Sequence, residues 1–321
     1  MQIKNHESLL YTDIILKHNK SILPSRSEAN ISRTLGNFTF KSPLVAANMP
    51  SLLNEHTCKQ FDAAGWFYVY PRMYDPKKVA DFIQKAQNSF NVVSISIGIT
   101  DEWLQLLKAT KFYKYKLDFI TVDVACAYTD SILPVVKYTK DNFPETYLIV
   151  GNTANAKSIP WFESLGVDCV KLNVGVSKSC RTKEFTGFSC TPLGNLIECA
   201  EESTNVALMS DGGLTVDDDG TVWIGDIAKA IRFGADFVMS GAVFAGCVDS
   251  PSYVNGYYGN STAEAKGHSK HVEGATVNIK KNKTIADMML LVEDSLRSSV
   301  SYAGGNTLYA LEKVDFIDLR R

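Results

Sequence analysis

Short runs rich in β-branched and aromatic residues alternate with longer amphipathic stretches from about residue 43 to residue 300, and no other feature constrains the fold as much. The runs cover residues 44–47, 67–70, 92–97, 119–122, 147–150, 169–172, 206–209 and 237–239. Helical patterns lie between them, over 54–64, 76–86, 102–108, 131–141, 156–165, 193–202 and 225–233, with an eighth over 284–299. Near-continuous apolar runs suit strands covered on both faces, which is the condition of a parallel sheet. Leu165-Gly-Val-Asp168 and Phe233-Gly-Ala-Asp236 each put glycine just past a helix and just before a strand, where a helix C-cap belongs. Eight strand-then-helix units predict an α/β protein with a (β/α)8 TIM barrel. A doubly wound open sheet is the runner-up. It lacks the Gly-x-Gly-x-x-Gly turn that would follow an early strand.

The barrel is expected to span residues 1–321 as a single domain. One segment breaks the rhythm: residues 246–283 carry Gly, Ser, Asn, Tyr, His and Lys with little periodicity. A loop of that length reads as a lid over the carboxyl ends of the strands. A net charge of −2 gives no general attraction to nucleic acid or membrane. Cysteines 58, 126, 169, 180, 190, 199 and 247 form no Cys-x-x-Cys pair, which reads as a reducing compartment. There is no signal-peptide core and no run of membrane-spanning length, so the expected setting is cytoplasmic. His268 and His271 have no third ligand nearby in sequence, and no catalytic metal is assigned.

Chemistry concentrates after the sixth run. Cys180 sits on a polar, Gly-containing loop beyond a strand, where such barrels keep their reactive groups. Lys178, Arg181 and Lys183 flank it, and nearby cations favour the nucleophilic thiolate. Asp211-Gly-Gly213 follows the seventh run and Gly241 follows the eighth, positions at which barrels often bind phosphate.

Taken in order, Val122-Asp-Val-Ala125, Gly151-Asn152, Gly175…Cys180-x-Thr182…Thr186-Gly187, Ile197-Glu-Cys-Ala200, Ser210-Asp-Gly-Gly213, Gly225-Asp-Ile-Ala-Lys-Ala230, Gly234-Ala-Asp-Phe-Val-Met239, Tyr258-Gly259 and Glu273-Gly274 resemble the reductase branch of the IMP dehydrogenase/GMP reductase family. Ser25-Arg-Ser-Glu28 and Ala46-Ala-Asn-Met49 fit as well, so the resemblance spans essentially the whole chain. It implies reductive deamination of a GMP-like purine nucleotide to IMP and ammonia, with NADPH, or NADH in its place, as hydride donor. Cys180 matches the cysteine that bonds to purine C2, and Thr182 and Glu273 match the pair that manages protons. Asp211, Gly212, Gly213, Gly241, Ala242 and Lys178 match the sugar and phosphate contacts, and Gly259, Asn260 and Ser261 the base contacts. Asp123, Ala125, Arg72 and Lys270 match the cofactor side. A monovalent cation such as K+ is implied at Gly175 and Cys180, and a homotetramer as the assembly.

Several positions depart from the family pattern. Its cysteine loop reads Gly-x-Gly-Pro-Gly-Ser-x-Cys, where this chain has Asn173, Ser177 and Lys178 in place of two glycines and a serine. Loss of glycine restricts the turn, and Lys178 would meet phosphate as a point charge. Cys126-Ala127, Ala242, Asn260, Pro71-Arg72-Met73 and the inserted residues 217–224 also differ, which opens the substrate to a deoxy or modified guanine nucleotide. Two other readings compete: IMP dehydrogenase chemistry, and a nucleotide-binding barrel without turnover. The first expects a regulatory insertion between strands two and three and an Arg in the lid, and neither is present. The second has no need of Cys180, Thr182 and Glu273 together.

Overall fold

The computed structural model describes residues 6–73, 75–177, 179–260, 262–263 and 274–320. Three short strands precede the repeating units: β1 (Ile14–Leu16) and the hairpin partners β2 (Arg33–Leu35) and β3 (Phe38–Phe40). The repeating units then run β4 (Leu44–Ala46), α1 (Glu55–Ala63), α2 (Pro76–Ala86), β5 (Ser94–Ile97), α3 (Asp101–Phe112), β6 (Phe119–Asp123), α4 (Leu133–Asn142), β7 (Tyr147–Thr153) and α5 (Ser158–Ser164). They continue with β8 (Cys169–Leu172), α6 (Thr182–Thr186), α7 (Pro192–Glu202), β9 (Ala207–Asp211), α8 (Gly225–Arg232), β10 (Phe237–Ser240) and α9 (Ser252–Asn255). A closing helix, Ile285–Tyr302, returns to the barrel wall, and β11 (Phe316–Asp318) pairs antiparallel with β1.

Seven strands form one parallel sheet in the order β4-β10-β9-β8-β7-β6-β5, the curled wall of a TIM barrel. The eighth position is occupied by residues 67–70, expected as a full strand. That run touches β5 through one parallel bridge, Tyr70 to Ile95, with Tyr70 N donating to Ser94 O at 3.0 Å and Ser96 N to Tyr70 O at 2.8 Å. Aromatic packing does the rest of the closure. Phe67 lies 4.7 Å from Phe119 and 5.9 Å from Phe237, and Phe40 of the β3 hairpin stacks on it at 4.5 Å. Phe67, Phe119 and Phe237 begin the run 67–70, β6 and β10, which lie at alternate positions of the wall, so by the two-residue period the residues two and four further along also face the barrel interior. From Phe119 that alternation reaches Thr121 and Asp123; on β8 it puts Lys171 and Asn173 on the inner side.

Helix starts follow their caps. Asn54 caps α1 with a reciprocal bond to Thr57, Asp75 caps α2 with Pro76 in its first turn, and Thr284 caps the closing helix. Gly166 and Gly234 have φ of 72° and 105°, the left-handed conformation that ends α5 and α8. Expected boundaries differ mainly at carboxyl ends: α3 continues past Lys108 to Phe112, and the closing helix past Ser299 to Tyr302.

An aspartate just before each of β6, β8 and β10 staples that strand to its neighbour. Asp118, Asp168 and Asp236 accept the N–H of Val93, Leu148 and Leu208 at 2.8, 2.8 and 2.9 Å. Each carboxylate also meets a cation: Lys116 at 2.7 Å, Lys140 at 3.3 Å and Arg33 at 2.7 Å. Removing such an acceptor leaves a buried N–H unpaired. Asp236→Ala is therefore expected to lower unfolding free energy by about 1–3 kcal/mol, read from the urea midpoint. Asp294→Ala, which loses only an exposed pair with Arg297, should stay within about 0.5 kcal/mol.

Candidate active site

A cavity of about 400 Å³ opens at the carboxyl ends of the barrel strands. Its floor is an ion cluster. Lys171 of β8 places its ammonium 2.9 Å from Asn48 Oδ1, 3.2 Å from Asp123 Oδ1 and 3.3 Å from Asp211 Oδ2. Asp123 Oδ2 in turn accepts from Arg72 Nε at 3.3 Å and Asn260 Nδ2 at 3.0 Å. Burial works against the Asp123 carboxylate, but Lys171 and Arg72 outweigh it and hold its pKa below the usual value. Burial likewise opposes the Lys171 ammonium, and Asp123 and Asp211 hold its pKa above that of an ordinary lysine. Both directions favour the ionised cluster.

The cysteine loop forms the adjoining wall. Cys180 Sγ donates to Thr182 Oγ1 at 3.1 Å. Cys180 also bridges Gly274, and Ala275 N donates to Ser179 O at 2.9 Å, so the chain that resumes at Gly274 lies against the cysteine loop. Tyr257 and Val277 exchange both backbone bonds at 2.8 Å behind that contact. Burial pushes the Tyr257 phenol up to about 12, and a Cβ at Gly241 would collide with its ring. Burial also raises the thiols of Cys58, Cys169, Cys190, Cys199 and Cys247, with Cys190 at about 11, whereas Cys180 opens on the cavity. Arg181, expected to favour the thiolate, is instead exposed: it pairs with Glu184 at 2.7 Å and lies over the Phe185 ring. Lys183 is exposed too.

The loop keeps its turn without the glycine at 173. Asn173 has φ of 76°, a left-handed conformation that Asn adopts more readily than most residues. Its amide donates to Ser210 Oγ at 3.2 Å and Asp211 O at 3.3 Å, and accepts from Asn195 Nδ2 at 3.0 Å.

The model of the IMP dehydrogenase / GMP reductase domain matches residues 8–320. The chain belongs to this family. It is similar to the GMP reductase of Oceanobacillus iheyensis, with 35% identity over 317 residues, covering 96% of this chain and 94% of that protein. The GMP reductase of Streptococcus equi subsp. equi is 36% identical over the same coverage. That of Streptococcus pneumoniae is 35% identical over 320 residues, covering 96% and 93%.

Within the family frame, the cavity brings together Cys180, Thr182, Asp211, Gly212, Gly241, Gly259, Asn260, Asp123, Ala125, Arg72 and Gly175. Gly213 and Ala242 stand behind its wall: Gly213 packs toward Pro192, and Ala242 O accepts from Lys281 Nζ at 2.5 Å. Gly212 N–H, expected to suit a phosphate, donates to Met239 O at 2.8 Å to extend the sheet. Lys178, Ser261, Lys270 and Glu273 lie outside the described residues, as do His268 and His271. Cys126 is exposed and does not line the cavity. The inserted segment 217–224 contributes no residue to the wall either; it folds on itself through the Val216–Val222 bridge and a Trp223 Nε1 bond to Asp217 at 2.9 Å.

Sequence reading missed Lys171, Asn48, Asn152 and Tyr257, all of which line the cavity. For Lys171 a signal was present, a lone cation inside the apolar run of β8. The Asn173 geometry yields a ranking. Asn173→Ala and Asn173→Gly both lose the side-chain bonds, but only alanine strains the left-handed backbone. Alanine should be the less stable variant by about 1 kcal/mol in denaturant titration.

Proposed function

We propose that this chain is a GMP reductase, converting GMP to IMP and ammonia through a covalent bond between Cys180 and C2 of the purine. The observation that carries the reading is the Cys180 thiol, exposed to the cavity and 3.1 Å from Thr182 Oγ1, in a chain matched over nearly its full length by GMP reductases. The cysteine bonds to C2, which becomes tetrahedral and carries both sulfur and the amino group. Thr182 and Glu273 shuttle the proton that lets the amino group leave as ammonia. When bound, reduced nicotinamide supplies the hydride that C2 needs, with NADPH as the donor and NADH as the alternate. The C–S bond then breaks, IMP departs and Cys180 is again a thiolate.

The remaining residues hold the reactants. Among the described residues Asp211 Oδ1 has no hydrogen bond, and it is the acceptor for a sugar hydroxyl. Lys178 and the turn at Gly241 and Ala242 surround the phosphate, and Gly213 supports that turn's neighbour. Gly259, Asn260 and Ser261 meet the base. Arg72, Asp123, Ala125 and Lys270 face the cofactor; the cationic Arg72 and the backbone beyond β6 on the cavity wall suit an anionic dinucleotide. A monovalent cation would take the carbonyl oxygens of Gly175 and Cys180. Gly175 O already accepts from Ser189 Oγ at 3.2 Å, so the ion would share it, and no step runs through the ion. The reading carries with it a cytoplasmic homotetramer of single-domain barrels.

The test mixes the purified chain with NADPH and GMP and follows the absorbance of reduced nicotinamide. Equal amounts of IMP and ammonia should accompany its loss. Reduced cofactor formed from IMP would mark a dehydrogenase, and nucleotide binding without turnover a binding protein; either result overturns the proposal. Cys180→Ala should lower kcat by ~10³-fold or more while GMP still binds. Glu273→Gln should slow ammonia release more than hydride transfer in single-turnover measurements. Lys178→Ser should raise the KM for nucleotide about tenfold with kcat little changed, the loss of one charge-assisted phosphate contact.

A further inference from the structure

Lys171 has no part in the chemistry above, yet it is the most enclosed charge at the cavity, with a side chain 2% exposed. An ammonium has three protons to donate, and three acceptors converge on it: Asn48 Oδ1, Asp123 Oδ1 and Asp211 Oδ2. They come from beyond β4, from the end of β6 and from the end of β9, while Lys171 itself rises from β8. One cation thus ties the ends of four barrel strands.

The two carboxylates face different parts of the cavity. Asp211 uses Oδ2 for Lys171 and Asn152, the latter at 3.0 Å, and among the described residues leaves Oδ1 without a partner on a side chain 20% exposed. Asp123 uses Oδ2 to hold Arg72 and Asn260. We propose that Lys171 is a positioning residue that orients the Asp211 carboxylate toward the sugar and sets its spacing from Asp123, so that the site prefers a ribonucleotide over its 2′-deoxy counterpart. The proposal rests on the nucleotide reading of the cavity given above.

The physical consequence of losing Lys171 is specific. Asp211 and Asp123 would remain together in a poorly solvated site with Arg72 as the cation in contact with them, and Arg72 contacts Asp123. Tyr257 and Cys180 also face Asp211, and neither brings it positive charge. Repulsion between the carboxylates raises the pKa of the less compensated one, Asp211. A protonated Asp211 is a weaker acceptor for a sugar hydroxyl. It ionises again as pH rises, so the lost preference returns at high pH.

The experiment measures Kd for GMP and for 2′-deoxy-GMP by calorimetry between pH 6 and pH 9, on the wild-type chain and on Lys171→Met and Lys171→Arg. Taking the ratio of the two nucleotides cancels the titration of their shared phosphate. Wild type should favour GMP about tenfold at every pH, the worth of one hydrogen bond to a charged acceptor. In Lys171→Met the ratio should fall below about threefold at pH 7 and climb toward the wild-type value by pH 9, and Lys171→Arg should keep part of the preference. Should Lys171→Met fail to fold, Lys171→Gln, of similar length and uncharged, is expected to show the same pH-dependent ratio. An unchanged ratio at all pH values in a folded variant overturns the proposal, because Lys171 would then only balance charge. Wild-type binding of GMP without turnover overturns the reductase reading and leaves this one standing. Failure to bind either nucleotide overturns both.

Discussion

The ammonium of Lys171, held among Asn48, Asp123 and Asp211, sets terms that the surrounding barrel has to meet. Taking an ion pair out of water costs several kcal/mol per ion, and the attraction within the pair offsets this only when the geometry is good and the other lone pairs are satisfied. Here they nearly are: Asn152 meets the far side of Asp211, and Arg72 and Asn260 meet the far side of Asp123. Such clusters are poor devices for stability, since an apolar core of the same volume does as well or better. What the cluster supplies is fixed orientation. It sits where β4, β6, β8 and β9 end, and the one carboxylate oxygen it leaves without a partner among the described residues, Asp211 Oδ1, belongs to a residue of the cavity wall.

That arrangement also explains which parts of the chain could be read in advance. Strand positions were legible because both faces of each strand are covered, so the apolar runs are nearly unbroken. Gly166 and Gly234 were legible as helix punctuation because capping is local chemistry. Residues 67–70 read as a strand because their side chains are buried like one, but ladder bonding depends on the neighbouring backbone, which pattern does not report. Lys171 was hidden for a related reason. Its run reads as apolar, and the partners that make a cation tolerable there are 48 residues away at Asp123 and 40 at Asp211 by position in the chain.

The departures from the family pattern divide along the same line. Substitution at 173 looked restrictive because glycine is the residue that most freely adopts positive φ. The structure keeps the turn with asparagine and adds a link: Asn173 joins Ser210, Asp211 and Asn195, and Ser210 Oγ lies 3.1 Å from the buried Tyr11 hydroxyl. Backbone freedom has been replaced by side-chain bonding. The inserted segment 217–224, by contrast, satisfies itself and leaves the cavity wall alone.

The same reasoning bears on the cysteine. Burial raises the thiols of Cys58, Cys169, Cys190, Cys199 and Cys247, whereas Cys180 is kept at an open wall. Arg181 does not hold it there, since it turns to Glu184. Two hydrogen-bonded connections do, one through a side chain and one through backbone. On one side Asn173 anchors the start of the loop to β9; on the other Gly274 and Ala275 pair with Cys180 and Ser179. The second connection belongs to the chain that resumes at Gly274, so the placement of Cys180 is tied to the backbone that also pairs Val277 with Tyr257. Asp211 of the ion cluster accepts directly from the loop's other anchor, Asn173, so the thiol and the cluster share one hydrogen-bonded framework.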